Sequence, residues 1–374
     1  MISRRRFIAA GAAGIAGLGL GGCGGEADMQ AYLDAAAKLR ETLTKEPLLA
    51  ELARCATLAP NGHNTQPWRF APGNGSVRIL PDFSRRTPVV DPDDHHLYVS
   101  LGCAAENLAL AARRYGRDCA LLPRSDGNAT AIDCMLDATR QTAADARDRA
   151  LFAAIPLRQS TRSVYDGTTV SAADLAQLAA AARVEGVDVV LITEPAKREA
   201  VLAQVIAGNS AQMDDPAFVA ELLAWIRFDA ASALRKGDGL FAACSGNPVL
   251  PDWLGRRMFG QVFRKSSEND KYAAQIRSSA GIAVFVGARA DHDHWIRVGR
   301  SFQRFALQAT ALGLRHAHVN QPVEVPAIRS AFARWLGAGD RRPDLVVRFG
   351  RAPALPMSMR RPVRAVLAQT AVEP

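Results

Sequence analysis

The sequence predicts an α+β layer fold built from two related halves. Three observations lead there: apolar faces at helical spacing alternate with short β-branched strands, the 374 residues exceed what one small module needs, and an alanine-rich helical stretch recurs at a constant offset. Residues 102–112 (GCAAENLALAA) and 299–309 (GRSFQRFALQA) are 197 positions apart throughout, and each stretch runs to a glycine, Gly116 and Gly313, suited to a left-handed helix C-cap. Composition alone generates part of this likeness, so two unrelated alanine-rich helices would also match to this degree.

Around the repeat, helices are expected at 29–43, 48–58, 143–154, 171–183 and 197–206, with Ser171 as an N-cap. Short β-branched runs predict strands at 77–80, 131–136, 187–192, 282–286 and 345–349. Between 214 and 271, Trp225, Trp253 and Phe259 lie among glycines, prolines and charges, which reads as an irregular insertion, either a lid or a mobile connection.

The N-terminus is not part of the fold. A basic start, Ser3-Arg4-Arg5-Arg6-Phe7-Ile8, leads into a Gly/Ala-rich apolar stretch too short to span a bilayer, which ends Leu20-Gly21-Gly22-Cys23. The first pattern resembles a twin-arginine signal and the second a lipobox. Together they imply export of a folded, cofactor-bearing protein, cleavage after residue 22 and lipidation of Cys23, giving a periplasmic or other extracytoplasmic lipoprotein. Simple cleavage nearby, or an uncleaved anchor, are the alternatives. The organisation expected is a signal at 1–22, a tether and first helix at 23–44, one half at 45–142, and a second at 143–374 that carries the insertion at 214–271.

Composition narrows the function. Hydrophobic residues at 48% and charged residues at 22% describe globular material, not a disordered chain. Arg4, Arg5 and Arg6 account for three of the net +9 charges, and no basic run with interleaved aromatics appears, so no nucleic-acid partner is expected. Cys55, Cys103, Cys119, Cys134 and Cys244 show neither metal spacing nor a disulfide framework, and Cys55 and Cys103 read as buried thiols.

Three clusters carry chemistry. The loop Ala59-Pro60-Asn61-Gly62-His63-Asn64-Thr65-Gln66-Pro67-Trp68 stops a helix and offers amide groups suited to the polar edge of a planar ligand, though a turn that merely caps and packs has the same composition. In Arg158-Gln159-Ser160-Thr161-Arg162, alternation on an extended segment puts two guanidinium forks and a hydroxyl on one side, a natural phosphate clamp, or else a solvated basic loop. A third cluster, Ser358-Met359-Arg360-Arg361, offers arginines to complete the clamp, and a polar loop at Asn320-Gln321 follows the second repeat helix.

In this order the motifs resemble the nitroreductase superfamily of FMN-binding flavoproteins, and more specifically its Acg-like branch of two fused nitroreductase-like halves, over residues 45–368. The resemblance implies a three-layer nitroreductase-like fold whose halves form an intramolecular pseudo-dimer, monomeric or further assembled. It implies one FMN site. Arg158, Ser160, Arg162 and Arg360 or Arg361 would hold the phosphate and ribityl end, Pro60, Asn61, Gly62 and Asn64 would meet the ring system, and Asn320 and Gln321 would lie near its reactive edge. The flavin carries the chemistry, so no catalytic side chain is expected. The implied activity is reduction of small electrophilic organics such as nitroaromatics or quinones, with an unidentified electron donor. The alternative is an FMN storage or sequestration protein closed by its lid.

His95-His96 beside Asp91, Asp93 and Asp94, Asp291-His292-Asp293-His294, and His316-Ala317-His318 offer metal-ligating side chains, but none supplies three ligands at a recognisable spacing, and no metal is expected. The absence of a Gly-x-Ser-x-Gly elbow argues against a serine hydrolase.

Overall fold

The computed structural model describes residues 23–44, 48–137 and 145–368; the signal sequence expected at 1–22 lies outside the described residues. In chain order come α1 (Cys23–Lys38), α2 (Leu48–Thr57), β1 (Trp68–Gly73), β2 (Ser76–Pro81), α3 (His95–Arg114), β3 (Asp118–Ser125) and β4 (Thr130–Asp137). Next are α4 (Ala146–Ala154), α5 (Ala172–Ala181), β5 (Val187–Ile192), α6 (Pro195–Met213), α7 (Pro216–Trp225), β6 (Ile226–Arg227), α8 (Ala230–Lys236), β7 (Leu240–Phe241), α9 (Asp252–Val262) and α10 (Lys265–Arg277). The chain closes with β8 (Gly281–Gly287), α11 (His292–Ala311), β9 (Arg315–His318), α12 (Gln321–Glu324), α13 (Pro326–Leu336), β10 (Pro343–Gly350) and α14 (Val363–Val366).

The two repeat stretches are the middle of α3 and α11, whose bounds differ by the same 197 positions at both ends. They cross where neither has a side chain. A Cβ on Gly102 would lie 2.0 Å from the carbonyl oxygen of Ile296, and one on Gly299 would lie 2.0 Å from that of Val99. Two backbones therefore touch through two pseudo-equivalent glycine contacts.

A four-stranded antiparallel sheet flanks each helix. One has the order β1-β2-β4-β3 and the other β5-β8-β10-β9, the same topology in corresponding elements. The repeat is thus structural, and the composition-only explanation fails. One apolar core runs from Phe70, Ile79 and Ile132 through α3 and α11 to Phe285, Val347 and Phe349. The outer face of the first sheet meets solvent, so β1 and β2 alternate buried and exposed positions. Helices α6, α10 and α13 cover the far face of the second sheet, and β8 and β10 are accordingly buried at every residue.

Electrostatics lock the crossing from the side. Glu106 is buried and receives Arg300 at 3.0 Å and Arg304 at 2.7 Å, while Asp148 of α4 takes Arg113 at 2.6 Å. Burial pushes the Glu106 carboxyl upwards, but Arg300, Arg304 and Arg113 together overcome it and leave the group below its ordinary value.

Several expectations change. The first helix spans Cys23–Lys38 instead of 29–43, and α6 extends to Met213. Ser171 is an N-cap, accepting the Asp174 N–H. Residues 214–271 are predominantly helical: Asp215 and Asp229 cap α7 and α8, Gly237 ends α8 with φ 65°, and the Trp/Gly/Pro-rich composition that suggested irregularity supplies these caps and close packings.

Replacing Gly102 with valine forces the helices apart, and an unfolding free energy lower by about 2–3 kcal/mol is expected in denaturant titration. Glu106 titrates below its unfolded-state value, so its contribution is present above the ordinary carboxylate range and lost as pH falls through the folded value. Glu106→Gln should flatten the acid limb of the stability–pH curve, measured by thermal unfolding.

Candidate functional site

Where α2 ends, the chain makes an unusual turn. Three non-glycine residues, His63, Asn64 and Gln66, have φ of 48°, 54° and 56°, in the left-handed region that L-residues populate sparingly. Side chains lock it in place. Asn61 Oδ1 accepts the Gln66 N–H at 2.8 Å, Asn64 Nδ2 donates to the Gly239 carbonyl at 3.0 Å, and Gln66 Nε2 donates to Gly237 at 2.9 Å. Arg360 Nε donates to Thr57, Nη2 to Ala59, and Nη1 to Asn64 Oδ1 at 2.9 Å.

This loop borders a cavity of about 410 Å³, whose wall includes Pro60, Asn61, Gly62, His63, Arg162, Asn320 and Gln321. Helices α7, α9 and α10 roof it with Phe218, Leu222, Met258, Phe259 and Tyr272. Helices from within 214–271 thus cover one side of this cavity. The base of the segment is held to the first half by Asp238, which pairs with Arg85, and is braced internally by the 2.7 Å pair of Asp238 with Arg227.

A smaller cavity of about 70 Å³ adjoins the first and shares Pro60, Asn61 and Arg162 with it; Asn64, Arg158, Ser160, Ser358 and Arg360 complete its polar side. Arg158 is 5% exposed. Its Nη2 donates to the Leu58 carbonyl at 3.1 Å, while Nε and Nη1 are buried without a partner among the described residues. Burial lowers its pKa to about 10, still fully charged at neutral pH. No described side chain hydrogen-bonds or ion-pairs with the Arg162 guanidinium. A buried cation with idle donors, facing a polar cavity beside a second unpaired cation, is a site for an anion.

The structure separates the expected residues by role. Pro60, Asn61, Gly62, Arg162, Asn320 and Gln321 reach the large cavity, and Asn64, Arg158, Ser160 and Arg360 the small one. Arg360 already has all three nitrogens engaged by the Pro60 loop, so it supports the wall and is not an idle clamp like Arg158. Arg361 lies outside both linings; its Nη2 donates to Ala365 and its backbone N–H to Gln66 Oε1. Asn320 Oδ1 is taken by the Val346 N–H, whereas Gln321 Oε1 is buried without a partner.

Several cavity groups were not anticipated: His96, Cys103, Phe302, His318 and Glu324. Burial, helped by Arg162 and His96, lowers His63 to about 4, and burial with Arg162, His96 and Arg158 lowers His318 to about 3. Both imidazoles are neutral at physiological pH. Apart from Lys271, positive charge is thus confined to the arginine end, and the rest of the cavity is apolar or uncharged but for Glu324 and Glu268.

Of the histidine clusters, the fold gathers Asp91, His95 and His96 so that one ligand atom from each lies within 4.8 Å of the others. These groups already have structural partners. The Asp91 carboxylate accepts the His96 and Leu97 N–H groups at the start of α3, and His95 Nε2 lies 2.9 Å from Asp344 Oδ1. Asp93 pairs with Arg342, Asp94 with Arg86, and Asp291 caps α11. His316 is fully buried in the core.

With this geometry, the comparisons with known proteins are informative. No family model matches the chain. Over 325 residues it is 27% identical to Rv3131 of Mycobacterium tuberculosis, named an NAD(P)H nitroreductase, covering 83% of this chain and 88% of that one. It is 21% identical over 330 residues to the acg protein of the same organism, which carries the same name, covering 87% and 97%. The FMN-dependent nitroreductase NfnB of Mycobacterium smegmatis, solved in complex with NADPH, aligns with a TM-score of 0.36 at 13% identity, over 55% of this chain and 88% of that one. The first two matches span most of each sequence.

An unpaired buried charge destabilises the ligand-free fold. Arg158→Met should raise its unfolding free energy by about 1–3 kcal/mol, while abolishing any rise in melting temperature that inorganic phosphate gives the parent protein in differential scanning fluorimetry.

Proposed function

We propose that the protein is an FMN-dependent oxidoreductase of the nitroreductase type, which reduces small electrophilic organics such as nitroaromatics and quinones. The observation that carries this is the pairing of an anion-ready pocket, Arg158 with Arg162 and Ser160, with a contiguous, lidded, largely apolar cavity of about 410 Å³. That volume is within the range of small-molecule sites. Phosphate at one end and a flat ring system at the other match this division, and the sequence relationship to proteins named NAD(P)H nitroreductases agrees with it.

The residues present fit the group. Arg158, Arg162 and Ser160 would hold the phosphate, the rigid Pro60–Asn64 turn would shape the wall beside the ring, and Gln321, with its idle amide oxygen, would face it. Bound FMN supplies the electron transfer. The protein fixes its orientation, excludes water beneath α7 and α9, and keeps His63 and His318 uncharged, so that the arginines remain the local source of positive potential. Arg360 acts at one remove, holding the turn.

A second reading, FMN storage without turnover, is favoured by one feature: the lid base is held to the turn by the Asn64–Gly239 and Gln66–Gly237 contacts and, through Arg85, which donates to the Thr65 carbonyl, by Asp238. Export and lipidation at Cys23 belong to the same proposal, carried by the Arg4-Arg5-Arg6-Phe7 and Leu20-Gly21-Gly22-Cys23 patterns. An exported enzyme would not meet the cytoplasmic NAD(P)H pool, which leaves its donor to be identified.

Protein purified from cells, or reconstituted with FMN, should show flavin absorbance bands, and Arg158→Met should raise the FMN Kd roughly ten- to a hundredfold. No flavin uptake rejects the reading. Bleaching of the bands by NAD(P)H or dithionite and their return on adding a quinone or nitroaromatic identifies an enzyme, whereas bands that neither reagent alters identify storage.

A further inference from the structure

The lid helix α9 has two unlike faces. Its inner side, Gly255, Met258, Phe259 and Val262, lines the large cavity. Its outer side is uncovered: Trp253 is 69% exposed, and Val249 just before the helix is 42% exposed. Along and beyond it stand Arg256, Arg257, Arg264 and Lys265, four basic residues against the single acidic Asp252 from 251 to 265; Arg256 pairs with Asp252 and Lys265 with Asp214, while Arg257 and Arg264 have no acidic partner among the described residues. Trp253, Arg256, Arg257 and Gly260 follow helical spacing and share this exposed stripe.

We propose that the outer face of α9 docks on an anionic lipid surface, with Trp253 entering the headgroup layer and Arg257 and Arg264 against the lipid phosphates. Tryptophan bordered by arginine and lysine on one helix face is the composition that lies flat at a membrane interface, where the indole is half apolar and half polar and basic side chains extend to phosphate. Charge complementarity selects lipid over a neutral partner. The packing adds a second argument. Helix α1, which begins at Cys23 of the lipobox-like motif, rests on α8 through Tyr32, whose ring lies 4.6 Å from that of Phe241. The α8 N-cap Asp229 in turn accepts the Asp252 N–H at the start of α9, at 2.9 Å. The helix bearing the candidate lipidation site and the basic lid helix are therefore parts of one packed unit. Docking would turn the lid of the cavity towards the bilayer, a source of apolar substrates.

This does not rest on the flavin reading, since it uses only the outside of α9, and the two can fail separately. The test uses the full chain carrying Cys23→Ser, so that no acyl chain contributes, with vesicles of phosphatidylcholine alone or mixed with bromine-labelled phosphatidylglycerol. Tryptophan emission should be quenched by the anionic vesicles only, and Trp253→Phe should remove most of that quenching. Arg257→Glu with Arg264→Glu should weaken co-sedimentation with anionic vesicles about tenfold, with the melting temperature unchanged because both side chains are exposed. The proposal is overturned if quenching is absent, if it persists in Trp253→Phe, or if sedimentation velocity shows a dimer that Trp253→Phe dissociates, which would make a second copy the occupant of this face.

Discussion

Contact between two helix backbones sets the geometry of everything else. Because Gly102 and Gly299 present no side chain, α3 and α11 approach until each glycine meets a carbonyl oxygen of the other helix. That closeness draws in what each helix carries: α2 with the Pro60 turn packs on α3, and α4, which leads to Arg158, packs on both. The anion pocket and the ring-sized cavity thus form across the crossing instead of within one half. Glu106 and its arginines fix the rotation of the pair, since a buried carboxylate is tolerated only while its cations stay in reach.

The site also shows a division of labour between rigidity and charge. Residues with satisfied side chains, Asn61, Asn64, Gln66 and Arg360, hold the left-handed turn. Residues with idle polar atoms, Arg158 and Gln321, face the cavities. Backbone strain at His63, Asn64 and Gln66 persists because each neighbouring contact supports the same conformation.

Much of this was legible in the chain, for identifiable reasons. The helix repeat shows because close crossing demands glycine and alanine at fixed positions, and Pro60 and Gly62 show because they interrupt a helix. Strands such as Val187–Ile192 show through β-branching. Arg158 and Arg162 stand out as charges in an otherwise uncharged loop. What the sequence hides is satisfaction. Arg360 and Arg158 look alike as letters, yet only the fold surrounds the first with carbonyls and leaves two nitrogens of the second without a partner among the described residues. The helices within 214–271 were hidden for a related reason: the tryptophans, glycines and prolines look irregular until Asp215, Asp229 and Gly237 act as helix caps. His96 and His318 could not be placed, since nothing local reveals that residues more than two hundred positions apart share one cavity.

Arg360 and Leu367 have a consequence for folding. Leu367 bridges to Phe70 on the edge of β1, and Arg360 binds the carbonyls of Thr57 and Ala59, so the first sheet and the Pro60 turn are completed by residues about three hundred positions further along the sequence. Contacts of that separation must first meet the entropy of closing a long loop. The turn stays unsupported until they form, which couples assembly of the candidate site to the long-range closure of the fold.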